Sequence, residues 1–103
     1  MPISVWHPST DVFHCDEKWF VKMELAGVQP DELSIRSSEG TLLVSGCRRD
    51  IVRQDNLNYH SLEINYCQFE RRVMLPFTID SSSIRWDYSN GMLLIELGRA
   101  TEA

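Results

Sequence analysis

Apolar positions along this chain recur with a period of two rather than 3.6, and turn-forming residues separate the short runs that carry them. In "KWFVKMEL", Trp19, Val21, Met23 and Leu25 alternate with Phe20, Lys22 and Glu24, which predicts a strand burying its odd-numbered face. "TDVFHC" before it predicts a short first strand, with Asp16-Glu17 as the turn between the two. Gly27 and Pro30 end the second strand, and Pro30-Asp31-Glu32 predicts a single tight turn. "LSIRS" sets Leu33 and Ile35 on one face and Ser34 and Arg36 on the other, and "SSEG" turns the chain into the more fully apolar "TLLVSGCR". Later, "FTIDSSS" reads as a loop, "IRWDY" as a strand, and Asn90-Gly91 as a type I′ hairpin turn into "MLLIEL". The sum is an all-β chain folded as an antiparallel sandwich of about seven to eight strands.

Two segments depart from this regularity. From Arg48 to Asn58, "RRDIVRQDNLN" is polar, poorly patterned and too long for a hairpin turn, and a loop of that length in a small domain usually has a task. "YHSLEINYCQFERRVMLP" then reads as one long strand whose apolar parity changes: His60, Leu62, Ile64 and Tyr66 share one phase, Phe69, Val73 and Leu75 the other. A strand changes phase only through a bulge or bend, expected near Cys67-Gln68.

With 103 residues the chain has room for one core, not two. Residues 11–98 are expected to form the domain, between an arm at 1–10 and a tail at 99–103. A hydrophobic fraction of 43% beside 24% charged residues is ordinary for a soluble protein. No apolar run approaches the roughly 20 residues of a membrane span, so no membrane partner is expected. "MPISVWHP" lacks the basic and apolar regions of a secretory signal, which makes the cytoplasm the expected compartment. Cys15, Cys47 and Cys67 are odd in number and lack C-x-x-C spacing, so reduced thiols are expected. A net charge of -5 disfavours nucleic acid, since Arg48-Arg49 and Arg71-Arg72 are too short to form a basic patch.

Catalysis should leave a trace in spacing, and none stands out. His7, His14 and His60 are dispersed, and His14 and Cys15 project from opposite faces of a strand, where they cannot share a metal. There is no G-x-S-x-G, phosphate-binding glycine loop or H-E-x-x-H. The chain is expected to be no enzyme, to hold no metal or other cofactor, and to act by binding.

Four motifs, in order, carry a resemblance. "DVFHCDEKWFVKMELAGVQPDELSI" resembles the opening of the alpha-crystallin domain of small heat-shock proteins. "GTLLVSGCR" is similar to that family's Gly-x-Leu-x-(V/I)-x-Gly-x-Arg strand, "YHSLEINYCQFERRVMLP" to its signature ending in Leu-Pro, and "NGMLLIEL" to its Asn-Gly hairpin. The match runs from about Asp11 to Leu97, with Cys67 where family members usually carry Gly. It implies an immunoglobulin-like sandwich and an ATP-independent holdase for partly unfolded client proteins. An adaptor or co-chaperone-like module with one specific partner, as in the CS domains of the same architecture, is the alternative.

The resemblance also assigns residues. It implies a homodimer by strand exchange, in which Ile51 and Val52 of the long loop pair with the partner's first strand around Asp11 and Phe13, while Arg71 enters the interface charge pairing; a plain surface loop is the other reading. It implies a hydrophobic groove with Leu33 and Ile35 on one wall and Ile84 and Trp86 on the other, in which an I-x-I segment docks. Relatives usually have a small residue in place of Trp86, whose indole either fills the slot or tips outward over the rim. Ile3-Ser4-Val5 has the I-x-I spacing and is a possible docking motif. With a short arm and no I-x-I tail, a dimer or small oligomer is expected.

Overall fold

The computed structural model describes residues 6–50, 52, 54–64 and 66–101. Seven strands are found among them: β1 (Thr10–Cys15), β2 (Lys18–Glu24), β3 (Ser34–Ser38), β4 (Thr41–Arg48), β5 (Cys67–Met74), β6 (Arg85–Ser89) and β7 (Met92–Leu97). They make two antiparallel sheets, of order β1-β2-β7-β6 and β3-β4-β5. The all-β expectation and the strand number hold.

The turns follow from residues that tolerate a left-handed backbone. Asn90 (φ 52°) and Gly91 (φ 77°) both have positive φ, and Ser89 pairs with Met92 on either side of them, the two-residue hairpin that Asn-Gly prefers. Asp16 (φ 56°) makes the β1–β2 turn. Pro30–Glu32 forms the expected tight turn as one turn of 3-10 helix. The "DSSS" loop holds a second, Ser81–Ser83, whose start is capped by the Asp80 carboxylate accepting from the Ser82 N–H at 3.0 Å and the Ser82 hydroxyl at 2.7 Å.

The core is the alternation made physical. Val21, Met23 and Leu25 face inward beside Leu93, Ile95 and Leu97, with Val21 opposite Ile95 and Met23 opposite Leu93. Leu42, Val44, Phe69, Val73 and Leu75 meet them from the other sheet. Gly46 lets Phe69 in: a Cβ there would stand 2.8 Å from the Phe69 ring. Among the described residues no buried side-chain polar atom lacks a partner, so the interior carries no penalty of that kind.

One expectation fails. The segment from Tyr59 is not the first half of a long bent strand, because β5 begins only at Cys67, and the described residues from Tyr59 to Tyr66 pair with no strand. The parity change near Cys67-Gln68 therefore marks where the sheet begins rather than a bulge within it. Tyr59, Leu62 and Ile64 are all more than half exposed.

Ile95, fully buried between the sheets, is expected to cost about 2–5 kcal/mol when truncated in Ile95→Ala. Gly46→Ala, which pushes a methyl into the Phe69 ring, should cost about 1–3 kcal/mol by overpacking. Urea unfolding of both variants reads these losses.

Candidate functional site

A sandwich built from open sheets has two sides where edge strands face each other, and the candidate residues gather at both. On the first side, β3 and β6 are the outer strands of their sheets. Ile35 lies opposite the buried Val44, and Trp86 opposite the buried Ile95, so both have core-facing parity. Ile84, at the end of the second 3-10 turn, joins them. Together with Arg36, Ser37 and Ser81 they line a cleft of about 480 Å³. Leu33 is not among the residues lining this cleft: it packs against the core, with its side chain beside Gly46. The Trp86 indole is 44% exposed, a wall of the cleft with one face in solvent. Tyr88, two residues on, is tied down by its hydroxyl, which donates to the Leu25 carbonyl at 2.5 Å.

The second side joins the edges of β1 and β5. Arg71 shares the inward parity of Phe69 and Val73, and its Nε donates to Thr10 Oγ1 at 3.2 Å across the gap between the sheets. The outer face of β1 carries Asp11, which pairs with Lys22 at 3.8 Å, and Phe13, which stacks on Phe20 with centroids 5.2 Å apart. The Lys22 ammonium also sits 5.8 Å from the Phe13 ring centre. His14 stacks on Trp19 at 4.3 Å, a packing role consistent with its place in a sheet.

The long connection between β4 and β5 begins pinned. Arg48 donates to the Ala26 carbonyl at 3.1 Å, and Arg49 pairs with Glu32 at 3.0 Å. Beyond, Val52, Leu57, Tyr59, Leu62, Ile64 and Tyr66 surround an apolar cleft of about 270 Å³, with Asp50, Ser61 and Glu63 at its rim. Val52 is 56% exposed and Leu62 71%. Ile51, Ile3 and Val5 lie outside the described residues. Residues 60, 62 and 64 keep a strand's alternation while joined to no sheet. Sequence reasoning placed them inside a strand and overlooked Trp6, half-buried against Phe69; the parity change was the signal for the first, and nothing in local pattern marked the second.

No described group of three or more His, Cys, Asp or Glu side chains is placed to hold a metal, and no described helix is long and apolar enough to cross a membrane. Cys15 and Cys47 are free thiols.

The model of the Hsp20/alpha crystallin family matches residues 11–103. This chain belongs to that family. It is 29% identical over 90 residues to small heat shock protein C2 of Rickettsia felis, a match covering 87% of this chain and 58% of that protein. Small heat shock protein C4 of the same organism is 24% identical over 96 residues, covering 93% and 59%. The chain thus spans a little under three fifths of the length of these curated relatives. Among solved structures, heat shock protein 16.0 of Schizosaccharomyces pombe superposes with a TM-score of 0.82 at 26% identity, covering 95% of this chain and 91% of that one. HSP18.5 of E. histolytica gives 0.78 at 26% identity, covering 96% and 93%. The two-sheet sandwich is therefore an alpha-crystallin domain, and its edge clefts are to be judged as features of one.

Because one face of its indole is already in water, Trp86→Ala is expected to lower stability by about 1–2 kcal/mol, short of the ~3–5 kcal/mol for truncating a buried aromatic. Chemical denaturation, run beside Ile95→Ala, checks the order.

Proposed function

We propose that this chain is an ATP-independent holdase: it binds partly unfolded proteins in the cytoplasm through uncovered apolar edge surfaces and keeps them from aggregating. The observation that supports this reading is the amount of apolar surface that the fold leaves at its edges, in the Ile35–Ile84–Trp86 cleft and in the unpaired segment from Tyr59 to Ile64. Such surface captures non-native chains by mass action and needs no chemical turnover. Membership in the Hsp20/alpha crystallin family points the same way.

The same segment supports a homodimer formed by strand exchange. Residues 59–64 alternate like a strand, expose Leu62 and Ile64, and pair with no strand among the described residues, whereas β1 is an edge strand with exposed Val12 and Phe13. We assign the donor segment to the β4–β5 connection, to this stretch together with the Ile51 and Val52 of the sequence expectation, and the acceptor to Asp11 and Phe13 of the partner. Arg71, bridging to Thr10 beside that edge, would hold β1 in place for pairing.

The Ile35–Ile84–Trp86 cleft, with Leu33 behind it, is our assignment for docking of an I-x-I segment. Ile3-Ser4-Val5, which lies outside the described residues, has the I-x-I spacing for such a cleft, its own or a neighbour's.

Light scattering of a heat-aggregating client, without ATP and with equimolar chain, should fall well below the client alone. No suppression by a folded dimer would instead favour an adaptor with one specific partner. The double variant Leu62→Asp/Ile64→Asp is expected to sediment as a folded monomer, and a dimer that persists unchanged would refute the exchanged strand.

A further inference from the structure

The edge of β5 is not bare. Trp6 lies along it as a single parallel bridge to Phe69, its N–H donating to the Gln68 carbonyl at 3.2 Å. Its indole meets the Phe69 ring edge to face, with centroids 5.4 Å apart and planes at 73°. The Arg48 guanidinium lies 3.8 Å from the indole centre while its Nη1 holds the Ala26 carbonyl. From there the chain passes through the buried Pro8, whose carbonyl accepts from the Thr10 hydroxyl at 3.0 Å, and through Ser9, whose carbonyl accepts from the Glu24 N–H at 3.2 Å. Residues Trp6 to Ser9 are thus a strap running from β5 to β1 over one open side of the sandwich.

What the seat recognises is generic. It offers a strand-edge carbonyl to any main-chain N–H, a buried ring edge or face to any aromatic side chain, and a guanidinium to the face of that ring. None of these distinguishes Trp6 from a Trp, Tyr or Phe in another extended chain. Folded proteins bury such residues, whereas non-native chains present them. Beside the strap a cleft of about 740 Å³, lined by His7, Cys47, Gln68, Phe69 and Arg71 among others, continues along the same edge with room for more of an extended segment. Among the described residues the strap holds the edge through the Trp6 bridge alone, a short hold compared with the full ladders elsewhere in the sheet.

We propose that the β5 edge beneath Trp6 is a binding site for an extended, aromatic-bearing segment of a non-native chain, with the Trp6 strap as its resident occupant. This assignment rests on the holdase reading. The strap and the client compete for one seat, so apparent affinity is set by the fraction of molecules whose strap is open. The site lies across the sandwich from the Ile35–Ile84–Trp86 cleft and uses different residues.

The test uses a fluorescently labelled peptide with the strap's own sequence, SVWHPST, and a control with serine in place of tryptophan, read by anisotropy. Trp6→Ser empties the seat and leaves Ile3 and Val5 intact. It is expected to bind the tryptophan peptide at least tenfold more tightly than the unaltered protein, while the control peptide binds neither. A chain lacking residues 1–7 should behave like Trp6→Ser, and circular dichroism of both verifies the fold. Equal affinity of unaltered and altered protein, or binding indifferent to the peptide's tryptophan, overturns the proposal. Client light scattering run alongside separates the two levels. Suppression that persists when the peptide results fail leaves the holdase standing without this site. Peptide binding as expected, with no suppression by either protein, overturns the assignment of the edge to clients.

Discussion

A backbone edge that faces water keeps its N–H and C=O groups available for another strand, and this sandwich has four such edges, those of β1, β6, β3 and β5. Each edge would be an aggregation hazard if left long, flat and apolar. Closing the sheets into a barrel would remove the problem, but it would also remove any means of pairing with other chains. Here the edges are kept and treated differently: a cleft with a tryptophan wall between β3 and β6, a strap over β5, and a charged and aromatic rim along β1.

The central strands permit this. Val21, Met23, Leu42, Val44, Leu93 and Ile95 are fully buried, and they sit on β2, β4 and β7, each of which has a neighbour on both sides. Stability is concentrated in strands that cannot exchange partners, so the edge strands can carry exposed apolar groups without risk to the fold. The Arg71–Thr10 and Tyr88–Leu25 hydrogen bonds then fasten outer strands, one on each open side, with side-chain atoms rather than additional ladder.

Most of the architecture was legible because it is written locally. Alternation gave the strands, Asn90-Gly91 its hairpin, and Pro30 its tight turn, since each depends on a residue's own backbone preference. The stretch from Tyr59 to Tyr66 was misjudged for a physical reason: alternation reports that a segment suits a sheet, not that a sheet is there to receive it. Its parity change near Cys67 carried the missing information, for a segment out of phase with the strand it precedes cannot share that strand's sheet face. Trp6 was illegible for another reason. Its seat is assembled from Gln68, Phe69 and Arg48, far along the chain, and no local pattern encodes a contact of that range. Leu33 shows what parity alone leaves out: it keeps the inward face of Ile35, beside Gly46 as Ile35 is beside Val44, but it precedes β3 and does not line the cleft.

The two open sides should respond to sequence change independently. The cleft is built from β3, β6 and the turn at Ser81–Ser83, and the strap from Trp6, the end of β4 and the start of β5. They share no side chain, and the packed central strands lie between them. Effects at sites so separated usually add, since coupling requires a shared partner or a backbone shift that a close-packed core resists. A change in the cleft wall, such as one at Trp86, can then leave the opposite edge as it is.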